Sequence, residues 1–332
     1  MKKIISLLFI LFSSGCSYKD VSDSIYIASV AVEKNEDEYK GYFYLPSSVE
    51  VGNSNPDNKS KKGEIGISTG KHITDIFYNI EFSTSLSINY AHIATMVFHE
   101  SILNNNDINE LLQFFKNSHN FDFNFYIFVT QENIEDIYTF TNPNKESVIN
   151  TLLVEPQNLS EQFLSADAIH YLNFSNYFYT KRCIHIPLIE IDYSWKIDDK
   201  DVEAYSARGL CYYQDGNYEI YESTNHNLQY LKTNEVLYYT DSTVSAILRN
   251  YNVKYRYKDN LVIKITGIID KVVLNENIDV VKYLSNIINQ YYKDAFAEFK
   301  TDVLNLKYYS NLYKKDYTID NIVLDIKIKT VD

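Results

Sequence analysis

HITDIFYNIEFSTSLSINYAHIATMVFHESILNNNDINELLQFFKNSHNFDFNFYIFVT, residues 72–130, carries two hydrophobic periods in alternation. In residues 72–82, Ile73, Ile76, Phe77 and Ile80 recur at intervals of three and four, the spacing of one helix face. AHIATMVF (91–98) is a short apolar run expected as a strand. NNNDINELLQFFKNS (104–118) returns to the helical period through Ile108, Leu111, Leu112 and Phe115. An Asn or Asp stands at its start, where a side chain is needed to accept from the first free N–H groups. DFNFYIFVT (122–130) reads as a strand again. Such alternation implies a sheet covered by helices, because each element must bury its apolar face against another.

The same pattern extends in both directions. SIYIASVAVEK (24–34) is expected as one strand, turning through residues 35–37 into EYKGYFYL (38–45) as its hairpin partner. GNSNPDNKSKKG (52–63) has no apolar side chain and reads as an exposed loop, and GEIGIS (63–68) as the next strand. Towards the C-terminus, residues 160–179 are expected as a helix with Phe163, Ile169, Leu172 and Phe178 among its apolar positions. CIHIPLIEIDY (183–193) follows as a strand. The polar stretch WKIDDKDVE (195–203) is the expected boundary between an N-terminal domain over 16–195 and a C-terminal domain over 203–332.

The second half has a different character. ARGLCYY (207–213) and NYEIYE (217–222) flank Gln214, Asp215 and Gly216, and Asp-Gly suits the positive backbone angles of a tight hairpin turn. NVKYRY (252–257) and LVIKITGI (261–268) form a second expected hairpin, each alternating apolar with polar residues so that one face is buried. A long helix is expected over 278–304, with Val281, Leu284, Ile288, Tyr291, Ala295 and Phe299 in its stripe. IVLDIKIKT (322–330) closes the chain as a strand. The fold class expected is therefore α+β and multidomain, with an N-terminal α/β-like half and a C-terminal half of antiparallel hairpins packed on one long helix.

The first residues, MKKIISLLFILFSSGC, have the order of an export signal: Lys2 and Lys3, then the apolar run 4–12, then small residues before Cys16. A membrane-spanning helix needs roughly 20 apolar residues, so this run is too short to span and is read as a removable signal over 1–15. Gly15 directly before Cys16 suits acylation of that thiol, although Ser13 stands where a branched aliphatic residue is usual. Cys16 is the one site residue assigned, as a lipidation site. Two acyl chains, at about 0.8 kcal/mol per buried methylene, hold a chain stably on a membrane. The expected location is the outer face of the membrane, anchored and not spanning.

The formal charge is −13, and removal of Lys2 and Lys3 makes the mature chain more acidic still. Such a surface repels phosphate backbones, which argues against a nucleic-acid partner. The 31 tyrosines are read as compositional bias more than as a sugar-binding platform. Beyond Cys16 only Cys183 and Cys211 remain, expected as two small buried thiols. His92 and His99, seven apart, would face opposite sides of one strand, and Cys183 with His185 makes an incomplete ligand set, so no metal is expected. No nucleophile elbow, Walker loop, dinucleotide-binding turn or EF-hand loop occurs, and no catalytic residue or cofactor is assigned.

Taken in order, these segments resemble the Ger(x)C family of bacterial spore-germination lipoproteins, the lipoprotein subunits of nutrient germinant receptors. Gly15 and Cys16 match the family's lipidated start, with Ser17 and Tyr18 in place of its usual Trp-Asp. The helix–strand–helix–strand run over 72–130 matches its middle, with His92 at the family's histidine and Glu100 at its acidic position. EFKTDVLNLKYYSNLY (298–313) resembles a late motif, with Asp302 at its aspartate, and IVLDIKIKT corresponds to the terminal strand. The resemblance implies a non-enzymatic subunit acylated at Cys16 on the outer surface of the spore inner membrane, partnered by two integral-membrane receptor subunits. His92 is read as a hydrogen-bonded core histidine and not as a ligand. A solute-binding lipoprotein serving a transporter is the alternative, and a surface hydrolase a third reading.

Overall fold

The computed structural model describes residues 24–46, 64–118, 121–139, 168–197, 200–222, 236–274, 277–298 and 302–330. The expected loop over 52–63, the expected signal over 1–15 and Cys16 lie outside these residues. In chain order the described residues form β1 (Ser24–Tyr26), β2 (Ser29–Asn35), β3 (Glu38–Leu45), β4 (Glu64–Gly70), α1 (Ile73–Phe82), β5 (Ser87–Asn89) and β6 (Thr95–His99). They continue with α2 (Asn105–Asn117), β7 (Tyr126–Thr130), α3 (Ile134–Thr139), β8 (Ile169–His170), α4 (Tyr171–Tyr179), β9 (Ile184–Ile197), β10 (Lys200–Gln214) and β11 (Asn217–Tyr221). The last elements are β12 (Val236–Thr240), β13 (Val244–Tyr257), β14 (Leu261–Leu274), α5 (Val280–Glu298), α6 (Leu306–Tyr313) and β15 (Val323–Thr330). The fold is mixed α+β with several sheets, as the two hydrophobic periods imply.

A nine-stranded sheet runs in the order β11-β10-β9-β7-β6-β2-β3-β4, with β8 paired to β7. Its centre is parallel: β2 with β6, β6 with β7, and β7 with β9. Antiparallel strands flank that centre on both sides, β3 and β4 on one and β10 and β11 on the other. Parallel strands are buried on both faces, which is why YIFVT in β7 is buried at every position. One face is covered by α1, α2 and α4, whose Ile73, Ile76, Phe77, Leu111, Leu112, Phe115 and Phe174 pack with Val30, Phe43, Met96, Ile127 and Ile186. The opposite face receives α3 through Ile134, Ile137 and Tyr138.

Aromatic side chains fill the first of these layers. Phe77 stacks on Phe114 with ring centroids 4.4 Å apart and meets Phe43, Tyr90, Phe115 and Phe121 edge-on. Such pairs add about 0.5–1.5 kcal/mol beyond their area burial. Much of the aromatic content of the chain is therefore core.

The helix starts follow their capping residues. Asn104 accepts from the backbone N–H groups of Asn106 and Asp107 at 3.1 and 3.0 Å and so opens α2. The Asp75 carboxylate accepts from the N–H of His72 at 2.9 Å at the start of α1, and Glu110 of α2 accepts from the N–H of Ile73 at 2.8 Å, tying the two helices together.

Three expected elements differ in extent for a tertiary reason, and a fourth is described only in part. The strand over 24–34 divides, because Ile27 donates to Asn89 and Ala28 to Tyr44, so that β1 pairs with β5 while β2 enters the large sheet. The strand over 91–98 begins only at Thr95, after a turn in which Ile93 donates to Tyr90. The helix over 160–179 is helical from Tyr171; Ile169 and His170 are drawn into β8 by pairing with Ile127 and Tyr126, and residues 160–167 lie outside the described residues. Of the helix expected over 278–304, α5 covers Val280–Glu298, and residues 299–301 lie outside the described residues; Asp302 caps α6 by accepting from the N–H groups of Leu306 and Lys307 at 2.7 and 2.8 Å.

The described residues of WKIDDKDVE, 195–197 and 200–203, belong to β9 and β10, in which Trp195 pairs with Val202. Both of these strands belong to the nine-stranded sheet, as does β11. The β10–β11 turn places Asp215 at φ 49° and Gly216 at φ 83°, the two positive angles that Asp-Gly favours. The change to a second sheet falls between Tyr221 and Val236.

That second sheet has the order β12-β13-β14-β15, antiparallel except for β15, which lies parallel to β14. Leu284, Ile288 and Tyr292 of α5 pack with Leu248, Val253, Leu261, Ile263 and Ile265 of the sheet. Cys183, directly before β9, joins the same cluster together with Leu210 and Tyr212 of the nine-stranded sheet. Cys211 and Tyr213, which alternate with them along β10, face the helical layer instead. One strand thus serves two cores, because successive side chains point to opposite faces.

Candidate functional site

The parallel centre of the large sheet has its carboxyl ends at Asn35, His99 and Thr130, the edge where open α/β sheets usually bind ligands. Side chains at this edge are engaged with one another. The Ser101 hydroxyl accepts from the N–H of Lys34 at 2.9 Å and lies 2.9 Å from Nδ1 of His99. Glu100 accepts from Nε2 of Gln131 at 2.7 Å, and Glu132 accepts from the N–H of Ile191 at 3.4 Å.

Asp107, 3% exposed at the start of α2, is the centre of a denser group. Its carboxylate accepts from the Tyr39 hydroxyl at 2.6 Å, Nδ2 of Asn104 at 2.7 Å and Nζ of Lys34 at 3.2 Å. The hydrogen bond from Lys34 to the Tyr39 oxygen, outweighing desolvation together with the Asp107 charge, holds the ammonium above its ordinary pKa. Burial raises the Tyr39 hydroxyl, and the bond to Asp107 adds to it. The group braces the β2–β3 hairpin against α2.

A second polar group sits at the junction of the two sheets. Asn305, at φ 56° and buried, accepts from the N–H of Cys183, while Nε2 of His185 lies 3.1 Å from the carbonyl of Val303. The N–H of Asp302 donates to Gln214 at 3.1 Å. The Arg182 guanidinium lies over the ring of Tyr177 at 4.0 Å, faces Tyr308 and Tyr309 at 5.0 and 5.6 Å, and donates to the Tyr309 hydroxyl at 3.2 Å. Tyr257 stacks on Tyr309 with centroids 3.8 Å apart and donates to the Leu304 carbonyl at 2.8 Å. These contacts fix α6 and the turn before it to the start of β9.

The same end of the molecule holds the β10–β11 turn. Asp215 pairs with Lys181 at 3.2 Å and accepts from Asn105 at 3.1 Å, and those bonds hold its carboxyl below the usual range. The arrangement suits a scaffold that keeps two sheets in fixed relation. Among the described residues no group of three or more His, Cys, Asp or Glu side chains is placed to hold a metal ion. No described helix is long and apolar enough to cross a membrane.

The residues singled out from the sequence are dispersed over this framework. His92 is exposed in the turn before β6, with its ring 5.2 Å from that of Tyr26. The core histidine expected at this position is therefore corrected: the strand begins three residues later, and the turn leaves the imidazole in water. Glu100 lies at the carboxyl edge and Asp302 caps α6, so the two family positions serve separate parts of the fold. Cys183 and Cys211 are buried and unbridged, facing the two different cores on either side of the sheet. Burial pushes the Cys211 thiol well above its ordinary pKa, which leaves it inert as a nucleophile.

Arg182, Asn305 and Tyr309 carry no local signature. The Arg182–Tyr309 and Asn305–Cys183 contacts each join residues more than a hundred positions apart in sequence, and only the pairing of the sheets brings them together.

No curated protein matches the chain significantly. The model of the spore germination protein N-terminal domain matches residues 17–191, just over half of the chain and the stretch from β1 into β9. That stretch contains the parallel centre of the sheet, all three helices of its covered face and the carboxyl-edge groups. The chain belongs to this family of spore germination proteins.

Proposed function

We propose that this protein is the membrane-anchored lipoprotein subunit of a spore nutrient germinant receptor, acting without catalysis through contacts with two integral-membrane subunits. The observation that carries this reading is the family match over residues 17–191, which places the chain in spore germination and begins at the residue after Cys16. Acylation at Cys16 tethers the protein to the outer face of the cell membrane or spore inner membrane, where two chains suffice for stable attachment. The scaffold character of both polar groups supports a role in assembly, since each joins secondary elements that lie far apart in the chain.

Deletion of the gene tests the reading directly. Spores should lose the optical-density fall that follows nutrient addition and regain it on complementation. Unchanged nutrient germination in the absence of any related copy would overturn the receptor role. The Cys16→Ala protein should leave the membrane fraction, and its full retention would overturn the anchor.

A further inference from the structure

The outer side of α1 and the turn after it present Phe82, Tyr78 and Leu86 to solvent at 85%, 54% and 40% exposure. Tyr78 and Phe82 are four residues apart and so adjacent on one helix face. Leu86 follows Phe82 through an ordered turn, in which the Ser83 hydroxyl donates to the Ile80 carbonyl at 2.7 Å and the N–H of Leu86 donates to Thr84 at 3.1 Å. Leu86 immediately precedes β5, and β5 pairs in parallel with β1 from Ser24 opposite Ser87. The chain arriving from Cys16 therefore enters the fold next to Leu86. An extended chain spans at most about 3.3–3.6 Å per residue, so Cys16 lies within about 28 Å of Ser24.

From this placement we infer that Tyr78, Phe82 and Leu86 form the surface that rests in the interfacial layer of the bilayer holding the anchor. The inference rests on the acylation of Cys16 proposed above and adds the orientation of the molecule on its tether. Three side chains are too few for a stable protein interface, which takes on the order of 800 Å² from each partner. They suit a lipid interface, where an aromatic ring with a polar tip such as Tyr78 lies partly in hydrocarbon and partly in water. Asp75 and Glu81 on the same helix, with the acidic charge of the whole chain, make apolar insertion and not attraction to anionic headgroups the means of contact.

The test uses the full acylated chain reconstituted in phosphatidylcholine vesicles. Cys183 and Cys211 are buried, so an environment-sensitive fluorophore can be directed to Ser85→Cys, between Phe82 and Leu86, or to Leu312→Cys on α6 as the control. The label at 85 should shift to the blue and be quenched by lipid-borne quenchers, unaffected by added salt, while the label at 312 should do neither. The shift should disappear when Phe82→Ser and Leu86→Ser are added. Vesicle-bound protein with the label at 85 as wet as that at 312 would overturn the inference and leave the anchor standing. Failure of the chain with Cys16 intact to float with vesicles would overturn both.

Discussion

Replacing Asp107 with Asn retains size and removes one acceptor and the charge from a site where three donors converge. The Tyr39 hydroxyl, Nδ2 of Asn104 and Nζ of Lys34 all point at a carboxylate that only accepts. An amide there turns a donor towards at least one of them. Charge-assisted bonds contribute about 1.5–3 kcal/mol each, and a buried hydroxyl left without a partner costs about 1–3 kcal/mol. Lys34, at 28% side-chain exposure, recovers some of its loss from water, whereas Tyr39 is buried. The expected destabilisation is about 3 kcal/mol, a large share of a typical stability of 5–15 kcal/mol. Urea unfolding followed by far-ultraviolet circular dichroism measures it, and the double-mutant cycle with Tyr39→Phe isolates the central bond. Tyr39→Phe should cost about 1–1.5 kcal/mol in the parent and little beside Asp107→Asn, a coupling near 1 kcal/mol. A cost for Asp107→Asn under about 0.5 kcal/mol, or strict additivity with Tyr39→Phe, would refute the reasoning.

Arg182→Ala should cost about 1–2 kcal/mol through loss of its stacking on Tyr177 and Tyr309. Amide hydrogen exchange should accelerate in α6 and α4 while α1 and α2 keep their protection, and uniform acceleration would count against a local clamp. At Asp241, desolvation opposes the charge, but hydrogen bonds from the hydroxyls of Tyr239 and Tyr283 and from the N–H groups of Val244 and Thr243 outweigh it and hold the carboxyl at about 2. A depressed carboxyl stabilises the fold above its unfolded pKa, about 3.9, and that contribution is lost as pH falls from about 4 to about 2. With allowance for solvent screening it is on the order of 1 kcal/mol, so stability curves of the parent and Asp241→Asn should converge in that window; a constant gap would contradict the assignment. His92→Ala should change stability by less than about 0.5 kcal/mol in a thermal melt, because the ring is exposed; a larger loss would mean that its contact with Tyr26 holds β1 in place.

Periodicity made the α+β class, the helices α1 and α2 with their inward residues, both hairpins of the second half and the terminal strand legible from the sequence. Each of these depends on contacts within a few turns or strands: Ile73, Ile76, Phe77 and Ile80 lie on one face whatever that face meets, and Asp215-Gly216 turns because its own backbone angles favour turning. The order of motifs over residues 72–130 likewise pointed to the spore germination family, which the match over 17–191 bears out. Tertiary structure decided what local spacing leaves open. Ile169 and His170 are strand because Tyr126 and Ile127 lie beside them, and the turn before β6 lifts His92 from the core into water. The junction of the two sheets depends on Arg182 meeting Tyr309 and Cys183 meeting Asn305, across more than a hundred intervening residues. No sequence period records such a pairing, because its free energy is gained only after the sheets have closed around it.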